Sequence, residues 1–360
     1  MRIAINTGGG DAPGLNAVVR AAVLAAERRG WEVVGIRRGY DGLFHPGGVV
    51  PLDGAAVRGV THLGGTMLGT TNRGSPFSFA VTDPDGTVRV VDRSDEVLER
   101  MRSLRVDCLV AVGGDGTLRI ASELAAKGLR VIGVPKTIDN DLEATSVTFG
   151  FHTAVQTATD AIDKLHSTAA AHQRIMVVEL MGRHAGWIAL FAGFASTAEA
   201  ILIPEIPFDI EKVARHIRRR YDEGPEFAIV VVAEGAIPAK GRKPSYLDDP
   251  RPGGSKRLGG VAKRVARHLE ELTGRESRSL VLGHLQRGGR PIAFDRLLSL
   301  RFGSAAVDLA AEGRFGCMVA LDPPVVKAVP LSEAVARIKM VPPDHEVLVA
   351  ARRLGIAFGD

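Results

Sequence analysis

The chain has 360 residues, of which 45% are apolar and 24% charged, and its formal net charge is +5. These proportions exclude a disordered chain, and no apolar run reaches the ~18 residues of a membrane span. A basic balance suits nucleic acid, anionic lipid or a phosphorylated small molecule, but aromatic residues, which would stack on bases, make up only 5%. We therefore expect a small phosphorylated ligand, with no nucleic acid and no membrane among the partners.

The sequence favours a cytoplasmic location. Met1–Asn6 leads directly into a strand pattern and shows no features of a signal peptide. The two cysteines, Cys108 and Cys317, each lie in an apolar run. Both are expected to be buried thiols in a reducing compartment rather than partners in a disulfide.

Short apolar runs alternate with helical patterns along the chain. The apolar runs predict strands at Arg2–Asn6, Glu32–Ile36, Asp107–Val112, Arg130–Val134, Arg174–Leu180, Ala200–Ile203, Phe227–Ala233, Arg278–Leu282 and Cys317–Leu321. Helical periodicity predicts helices at Leu15–Arg29, Leu118–Lys127, Thr153–His166, Glu211–Tyr221, Val261–Thr273 and Phe294–Ala311. Most of the runs lack polar alternation, which is typical of parallel strands buried on both faces. They are too many for one ordinary sheet of ~4–6 strands, so we predict an α/β protein of two three-layer α/β/α domains with mainly parallel sheets.

One segment interrupts this alternation. Residues Ile237–Gly260 are rich in proline, glycine and charge, which predicts a long mobile surface loop. A lid near the active site and a plain surface insertion are equally open interpretations.

Two prominent glycine-rich turns follow predicted strands, at Thr7–Asn16 and Gly113–Thr117, and Gly64–Thr66 is a lesser third. Such turns present backbone N–H groups and a helix N-terminus to a phosphate, at the strand ends where open parallel sheets bind ligands. Neither matches the P-loop pattern, and a tight structural turn is the alternative for the first. Asp115 stands between glycines, where a carboxylate can hold Mg²⁺ on a polyphosphate. Together the turns favour a nucleotide or pyrophosphate ligand.

Two aspartates follow the predicted strand Arg130–Val134. Extended backbone would direct Asp139 and Asp141 to the same side. One carboxylate would then take a proton from an attacking hydroxyl, while the other handles a metal or orients the substrate. Lys136 and Thr137 suit phosphate oxygens. An Asx-rich structural turn is the competing interpretation.

Seven motifs resemble those of the 6-phosphofructokinases and run in family order from about residue 3 to residue 310. They are G-G-D-A-P-G-x-N at Gly9–Asn16, G-G-D-G-T at Gly113–Thr117, P-K-T-I-D-N-D at Pro135–Asp141, H-Q-R-I at His172–Ile175, M-G-R at Met181–Arg183, E-G-A at Glu234–Ala236 and L-G-H-L-Q-R-G-G at Leu282–Gly289. G-G-D-G alone is not specific, because NAD kinases and lipid kinases resemble it. The third and last motifs decide the family.

The resemblance implies a glycolytic kinase that transfers a phosphoryl group from Mg-ATP to the 1-hydroxyl of fructose 6-phosphate, giving fructose 1,6-bisphosphate. Asp139 matches the family's base, with Thr137 and Asp141 beside it. Arg183 matches the arginine that stabilises charge on the transferring group. Asp115 matches the Mg²⁺ carboxylate.

The resemblance also implies two binding domains. The donor-binding domain comprises residues 1–150 plus about 286–336, and the domain for fructose 6-phosphate comprises 151–285 plus about 337–360. The donor residues implied are Gly10, Arg73, Gly114, Asp115, Gly116, Thr117 and Lys136. The substrate residues implied are Thr137, Asp139, Arg174, Met181, Gly182, Arg183, Glu234, Arg278, His284 and Arg287. Because Arg174 and Arg278 match arginines that in the family come from a neighbouring subunit, the resemblance implies a homodimer or homotetramer.

Two positions distinguish ATP from pyrophosphate as the phosphoryl donor. Family members that use pyrophosphate usually carry Asp where this chain has Gly116, together with Lys where it has Lys136. A carboxylate at the first position would crowd and repel the α-phosphate of ATP, so Gly116 favours ATP and pyrophosphate is the alternative. A non-catalytic sugar-phosphate sensor is a further alternative, which the presence of Asp139, Arg183 and Asp115 argues against.

Overall fold

The computed structural model describes residues 1–71, 74–83, 85–224, 226–241, 243–247 and 257–360. The chain divides into two compact units. Unit 1 comprises Met1–Thr137, Leu142–His152 and Arg287–Arg337. Unit 2 comprises Ile138–Asp141, Thr153–Gln286 and Ile338–Asp360.

Strands and helices alternate through most of the chain. The strands are β1 (Arg2–Thr7), β2 (Glu32–Ile36), β3 (Val49–Leu52), β4 (Phe79–Thr82), β5 (Val88–Val91), β6 (Cys108–Gly113), β7 (Val131–Pro135), β8 (Ile175–Leu180), β9 (Ala200–Leu202), β10 (Ala228–Ala233), β11 (Tyr246–Leu247), β12 (Arg257–Leu258), β13 (Ser277–Val281), β14 (Cys317–Asp322) and β15 (Val325–Pro330). The helices are α1 (Leu15–Glu27), α2 (Ser94–Ser103), α3 (Asp115–Ala126), α4 (Phe151–His172), α5 (Trp187–Ala195), α6 (Ile210–Glu223), α7 (Val261–Thr273), α8 (Ala293–Ala311), α9 (Leu331–Ala334) and α10 (Glu346–Arg353). No helix in these described ranges is long and apolar enough to cross a membrane.

Unit 1 is built on a seven-stranded sheet in the order β15-β14-β7-β6-β1-β2-β3. Its central pairs are parallel, whereas β3 and β15 join the two edges antiparallel. Every residue of β6 and β7 is buried, as the continuous apolar runs predict for strands covered on both faces. The parallel order brings the carboxyl ends of β1, β6 and β7 to one edge of the sheet.

Unit 2 is built on a four-stranded, wholly parallel sheet in the order β13-β8-β10-β9. The apolar faces of α6 and α7 contribute Val213, Ile217, Val265 and Leu269 to a core that also contains Val177 and Val230 of the sheet. The predicted fold class is therefore confirmed: the chain is α/β with two mainly parallel sheets.

Three sequence expectations were incomplete or wrong in detail. Within the predicted loop Ile237–Gly260, β11 and β12 form a short antiparallel pair; residues 242 and 248–256 of that prediction lie outside the described residues. Cys108 is buried as expected, but Cys317 is only partly buried, because β14 begins at this residue and its first position is not fully covered. The strand predicted at Arg278–Leu282 is an edge strand whose last four residues are exposed.

Candidate active site

The two glycine turns of unit 1 lie side by side. β1 and β6 are parallel neighbours, with Thr7 opposite Val112, so the turns that follow them leave the same edge of the sheet. The side chain of Thr117 fills the space between them. A Cβ added to Gly8 would lie 2.6 Å from Thr117 Oγ1, and one added to Gly113 would lie 2.3 Å from Thr117 Cβ. Side chains are therefore excluded at both glycines, and the backbones of the two turns stay close together.

Two cations lie against the first turn. The Lys136 side chain, only 3% exposed at this residue, donates a hydrogen bond to the carbonyl oxygen of Gly10. Its backbone N–H donates to the Gly113 carbonyl at 2.9 Å. The Arg287 guanidinium donates to the Asp11 carbonyl at 3.3 Å. The result is a positive potential at a turn rich in backbone amides, which suits an anionic phosphate.

The second turn leads into the N-terminus of α3. Gly114 is the extended N-cap residue, and Asp115 is the first residue of the helix. The Asp115 carboxylate pairs through Oδ1 with Arg119 at 3.0 Å. A Cβ added to Gly116 would meet no atom within 4 Å, so the space above this residue is open. A ligand can therefore approach the positive end of the helix dipole.

The one carboxylate at this turn, that of Asp115, suits a metal ion that binds together with a polyphosphate. The described residues contain no cluster of three or more His, Cys, Asp or Glu suited to a metal ion. Mg²⁺ commonly uses only one or two protein carboxylates and takes its other ligands from substrate phosphates and water. Asp115, beside the open space at Gly116, fits that pattern.

A third segment, Gly69–Thr71, holds the first turn through contacts that the sequence analysis did not predict. Gly9 donates its N–H to the Thr71 carbonyl at 3.1 Å, and its own carbonyl accepts from Thr70 Oγ1 at 2.5 Å. Thr7 Oγ1 donates to the Gly69 carbonyl at 2.8 Å. The segment Gly69–Thr71 thus fixes the backbone of the first turn. Arg73, predicted to bind the donor from the same segment, lies outside the described residues.

The two aspartates occupy a turn rather than extended backbone. Asn140, between them, has a φ of 52°, which lies in the left-handed region, so the backbone here is not extended. The expectation from strand alternation was therefore wrong. Asp139 and Asp141 are 3% and 7% exposed, and the Asp141 carbonyl accepts from the Lys339 N–H at 3.0 Å. Both aspartates belong to unit 2, whereas Thr137 is the last residue of its segment in unit 1.

In unit 2, residues predicted to bind the sugar phosphate meet at the carboxyl ends of β8 and β10. The Arg183 N–H donates to Glu234 Oε1 at 3.0 Å. Arg183 has a φ of 52° and Gly182 a φ of 148°, so the chain bends sharply after Met181. A Cβ added to Gly235 would lie 2.0 Å from the Arg183 carbonyl oxygen. That glycine therefore permits the two segments to pack closely.

His284 lies in the short 3₁₀ helix Gly283–Arg287 that follows β13, and its side chain is exposed. Leu282 donates its N–H to the Glu179 carbonyl at 3.0 Å, which ties the start of this segment to β8. The carboxyl ends of β8, β10 and β13 thus present Met181–Arg183, Glu234 and His284 at one edge of the unit 2 sheet. Arg287, predicted with them, is instead part of unit 1.

The remaining two predicted residues are at the opposite edge of that sheet. Arg174 precedes β8, and Arg278 is opposite Met176 near the start of the strand. β8 has six residues and spans about 20 Å at ~3.3 Å per residue. Within one chain the two arginines are therefore separated from Arg183 and Glu234 by the length of the strands.

Glu276 holds these two arginines. Its carboxylate accepts from Arg174 Nε at 2.5 Å and forms an ion pair with the Arg278 guanidinium. The hydrogen bond from Arg174 lowers the pKa of the Glu276 carboxyl below its ordinary value. Glu276 thus holds the guanidinium groups of Arg174 and Arg278 close together. Forked guanidinium groups match the geometry of a phosphate.

Sequence reasoning also missed Glu179, the one charged residue in the apolar run of β8. Its carboxylate accepts from the Gly260 N–H at 3.0 Å and the Ala262 N–H at 2.9 Å. It therefore satisfies two backbone donors at the start of α7. The isolated acid within the strand was the available signal.

Glycine turns, nearby cations and an accessible helix N-terminus at the ends of parallel strands are typical of α/β proteins that bind phosphorylated ligands. Residues 2–310 match the sequence profile of the Phosphofructokinase family. The chain belongs to the phosphofructokinase family.

Named relatives extend over the whole chain. It is 51% identical over 362 residues to the ATP-dependent 6-phosphofructokinase of Chloroflexus aurantiacus, covering 100% of this chain and 98% of that protein. It is 48% identical over 346 residues to the pyrophosphate–fructose 6-phosphate 1-phosphotransferase of Amycolatopsis methanolica, covering 96% and 97%. Among solved structures, Pichia pastoris phosphofructokinase matches with a TM-score of 0.80 and 31% identity over 93% of this chain. That match spans only 35% of the Pichia chain.

Proposed function

We propose that this protein transfers the terminal phosphoryl group of ATP to the 1-hydroxyl of fructose 6-phosphate, giving fructose 1,6-bisphosphate and ADP. The main support is that both glycine turns, Lys136 and the open N-terminus of α3 lie together at one edge of the unit 1 sheet. This arrangement occurs in a chain that is 51% identical, along its full length, to an ATP-dependent 6-phosphofructokinase.

The donor is bound by unit 1. The backbone amides of Gly10, Gly114 and Gly116 face its phosphates, and Lys136 supplies a buried positive charge beside the first turn. Thr117 keeps the two turns together. Asp115 would hold Mg²⁺, which neutralises charge on the donor phosphates when bound.

The chemistry is an in-line transfer. The 1-hydroxyl oxygen of the sugar forms a bond to the terminal phosphorus while the bond from that phosphorus to the leaving ADP oxygen breaks. Asp139 accepts the hydroxyl proton, with Thr137 and Asp141 orienting the group. Arg183 stabilises the charge that develops on the transferring phosphoryl group. The near-complete burial of Asp139 keeps water from competing for that proton.

Fructose 6-phosphate is bound by unit 2. Met181, Gly182, Glu234 and His284 hold the sugar at the carboxyl ends of the strands. Arg287, which the structure places in unit 1, is assigned to the 6-phosphate by the family motif alone.

Pyrophosphate is the second candidate donor, and two observations favour it. Lys136 is the residue usual in pyrophosphate enzymes, and a pyrophosphate-dependent relative is 48% identical. Gly116 favours ATP, because the open space above it would be occupied by a carboxylate in the pyrophosphate pattern. Purified protein with fructose 6-phosphate and Mg²⁺ is assayed for fructose 1,6-bisphosphate with each donor. Faster turnover with pyrophosphate than with ATP would reverse the assignment.

The proposal includes an oligomer, because Arg174 and Arg278 are a strand length away from the sugar residues of their own chain. Both arginines would complete the 6-phosphate site of a neighbouring subunit. The strand of Arg278, β13, is at an edge of the unit 2 sheet, and Val281 and Leu285 are 57% and 68% exposed. An exposed apolar strand edge favours pairing with another chain. We propose a homodimer or homotetramer.

The cytoplasm is the proposed location. Neither cysteine is in a disulfide. Burial raises the pKa of the Cys108 thiol to about 12 and raises that of the partly buried Cys317 as well. Both groups are therefore poorly reactive thiols, and free thiols are usual in a reducing compartment.

Asp139→Asn tests the mechanism. The amide cannot accept the hydroxyl proton, so we expect kcat to fall by about 10²–10⁴-fold, while fructose 6-phosphate and Mg-ATP still bind in calorimetry. A sensor without activity would bind the sugar phosphate and form no product in the unmodified protein. Product formation by the variant at the unmodified rate would contradict the assignment of the base.

A further inference from the structure

Unit 1 contains a cavity apart from the glycine turns, at the carboxyl end of β2. Its volume is about 370 Å³, within the range of ~300–1,000 Å³ that holds small molecules. Arg37, Arg38 and His45 line one part of it, and Gly47–Gly48 and Met67–Gly69 line another. None of these residues is assigned to the donor, the sugar or the chemistry above.

The cavity is positively charged. Its described lining residues include two arginines and a histidine but no aspartate or glutamate. The neighbouring acid in sequence, Asp41, lies against another segment, with Oδ1 3.3 Å from the position of a Cβ on Gly74. Arg37 and Arg38 both line the cavity. Each guanidinium group presents several N–H donors in one plane, which matches the oxygens of a phosphoryl group better than a neutral ligand.

The walls of the cavity are fixed by backbone contacts. Arg38 has a φ of 52°, an uncommon conformation for a non-glycine residue. It is held there by a hydrogen bond from its N–H to the Leu68 carbonyl at 2.9 Å, and the Arg37 N–H donates to the Gly48 carbonyl at 2.8 Å. A Cβ on Gly48 would lie 2.1 Å from the Gly42 carbonyl oxygen. The two arginines are therefore presented by a preformed backbone, which reduces the ordering cost of binding.

We propose that this cavity binds a small phosphoryl-bearing anion, as a site separate from the donor and sugar sites. The wall Met67–Gly69 continues directly into Thr70 and Thr71, which fix the Gly9 turn. Gly69 itself accepts a hydrogen bond from Thr7, the last residue of β1. An occupant that contacts this wall also acts on the segment that positions the donor turn. The cavity is therefore placed to couple anion binding to donor binding.

The test is calorimetric titration of inorganic phosphate into the full chain at constant ionic strength. A nonhydrolysable ATP analogue with Mg²⁺, together with fructose 6-phosphate, first occupies the sites of the proposed reaction. Binding of these two ligands is measured separately, so a failure of the proposed function is seen before phosphate is added. We expect one remaining phosphate site per chain in the unmodified protein.

Two charge-matched double variants identify the site. Arg37→Gln with Arg38→Gln should weaken the remaining phosphate site at least 10-fold. Arg100→Gln with Arg102→Gln removes the same charge from exposed positions of α2 and should change it less than 2-fold. Melting temperatures confirm that both variants fold.

Three results would overturn the proposal. The first is that no phosphate binds once the ATP analogue and fructose 6-phosphate are present, because the cavity would then be part of the donor site or bind nothing. The second is an equal loss in both double variants, which would indicate general surface charge. The third is unchanged phosphate affinity in the Arg37 and Arg38 variant.

Discussion

Gly116→Asp separates the folding role of the second glycine turn from its role toward the donor. Gly116 is the second residue of α3, and a Cβ there meets no atom within 4 Å. An acid near a helix N-terminus gains about 0.3–1 kcal/mol from the dipole, and exchanging Gly for Asp changes helix propensity little, because Asp ranks just above Gly. The variant should therefore be as stable as the parent or slightly more so. A carboxylate about 5 Å from a unit negative charge on a donor phosphate costs on the order of 3 kcal/mol at an effective dielectric constant of ~20.

That cost corresponds to a rise of about 100- to 200-fold in KM for ATP, measured by steady-state formation of fructose 1,6-bisphosphate. Pyrophosphate is assayed in parallel, and melting temperature reports folding. Gly116→Asn is the matched control, because it has nearly the same shape without the charge and should lose much less than the aspartate variant. If Gly116→Asp keeps KM for ATP within about 3-fold, the donor phosphates do not lie at this residue. Equal losses in both variants would refute the electrostatic reasoning and leave a steric cause.

Three further predictions address the subunit arrangement and the stability of unit 2. Mixing inactive Asp139→Asn with inactive Arg278→Ala under exchange should restore about a quarter of the parent activity if each site of a dimer takes one residue from each subunit; no recovery despite confirmed exchange would contradict the shared site. Glu179→Ala leaves the N–H groups of Gly260 and Ala262, at the start of α7, without their acceptor. The change should lower the free energy of unfolding by about 2–4 kcal/mol, measured by urea unfolding; a change below ~0.5 kcal/mol would mean that the cap has no energetic role. Burial raises the pKa of Glu205 above its ordinary 4.5, so the folded state retains a proton that the unfolded state has lost. Stability therefore falls as pH rises above that value; Glu205→Gln should flatten this dependence, and an unchanged pH profile would contradict the burial argument.

The central strands were predictable because their residues are almost all apolar, and such runs are buried on both faces of a sheet. Each residue of Cys108–Gly113 is buried, and the run contains no charge. The edge strand Val49–Leu52 was missed because it is short, contains Pro51 and is mostly not buried. Trp187–Ala195 was missed because this helix is apolar on nearly all sides, so it has no hydrophobic period to detect.

The candidate site was predictable in its residue types but not in its contacts. The motifs placed Lys136 and Asp115 after adjacent strands, and the parallel topology then brings such strand ends together. The hydrogen bond from Lys136 to Gly10 joins residues 126 positions apart, and no local pattern specifies it. The left-handed turn at Asn140 likewise depends on its surroundings, since Asn only tolerates that conformation more readily than other residues.

The placement of Arg174 and Arg278 has a consequence for how the protein behaves at low concentration. On the proposed arrangement a lone subunit keeps its native fold yet possesses only part of an acceptor pocket. Specific activity would then decline on dilution along the dissociation curve of the assembly, while circular dichroism of the same samples stays native. The quantity of chain in a cell would thereby set not only how many catalysts exist but what fraction of them is complete.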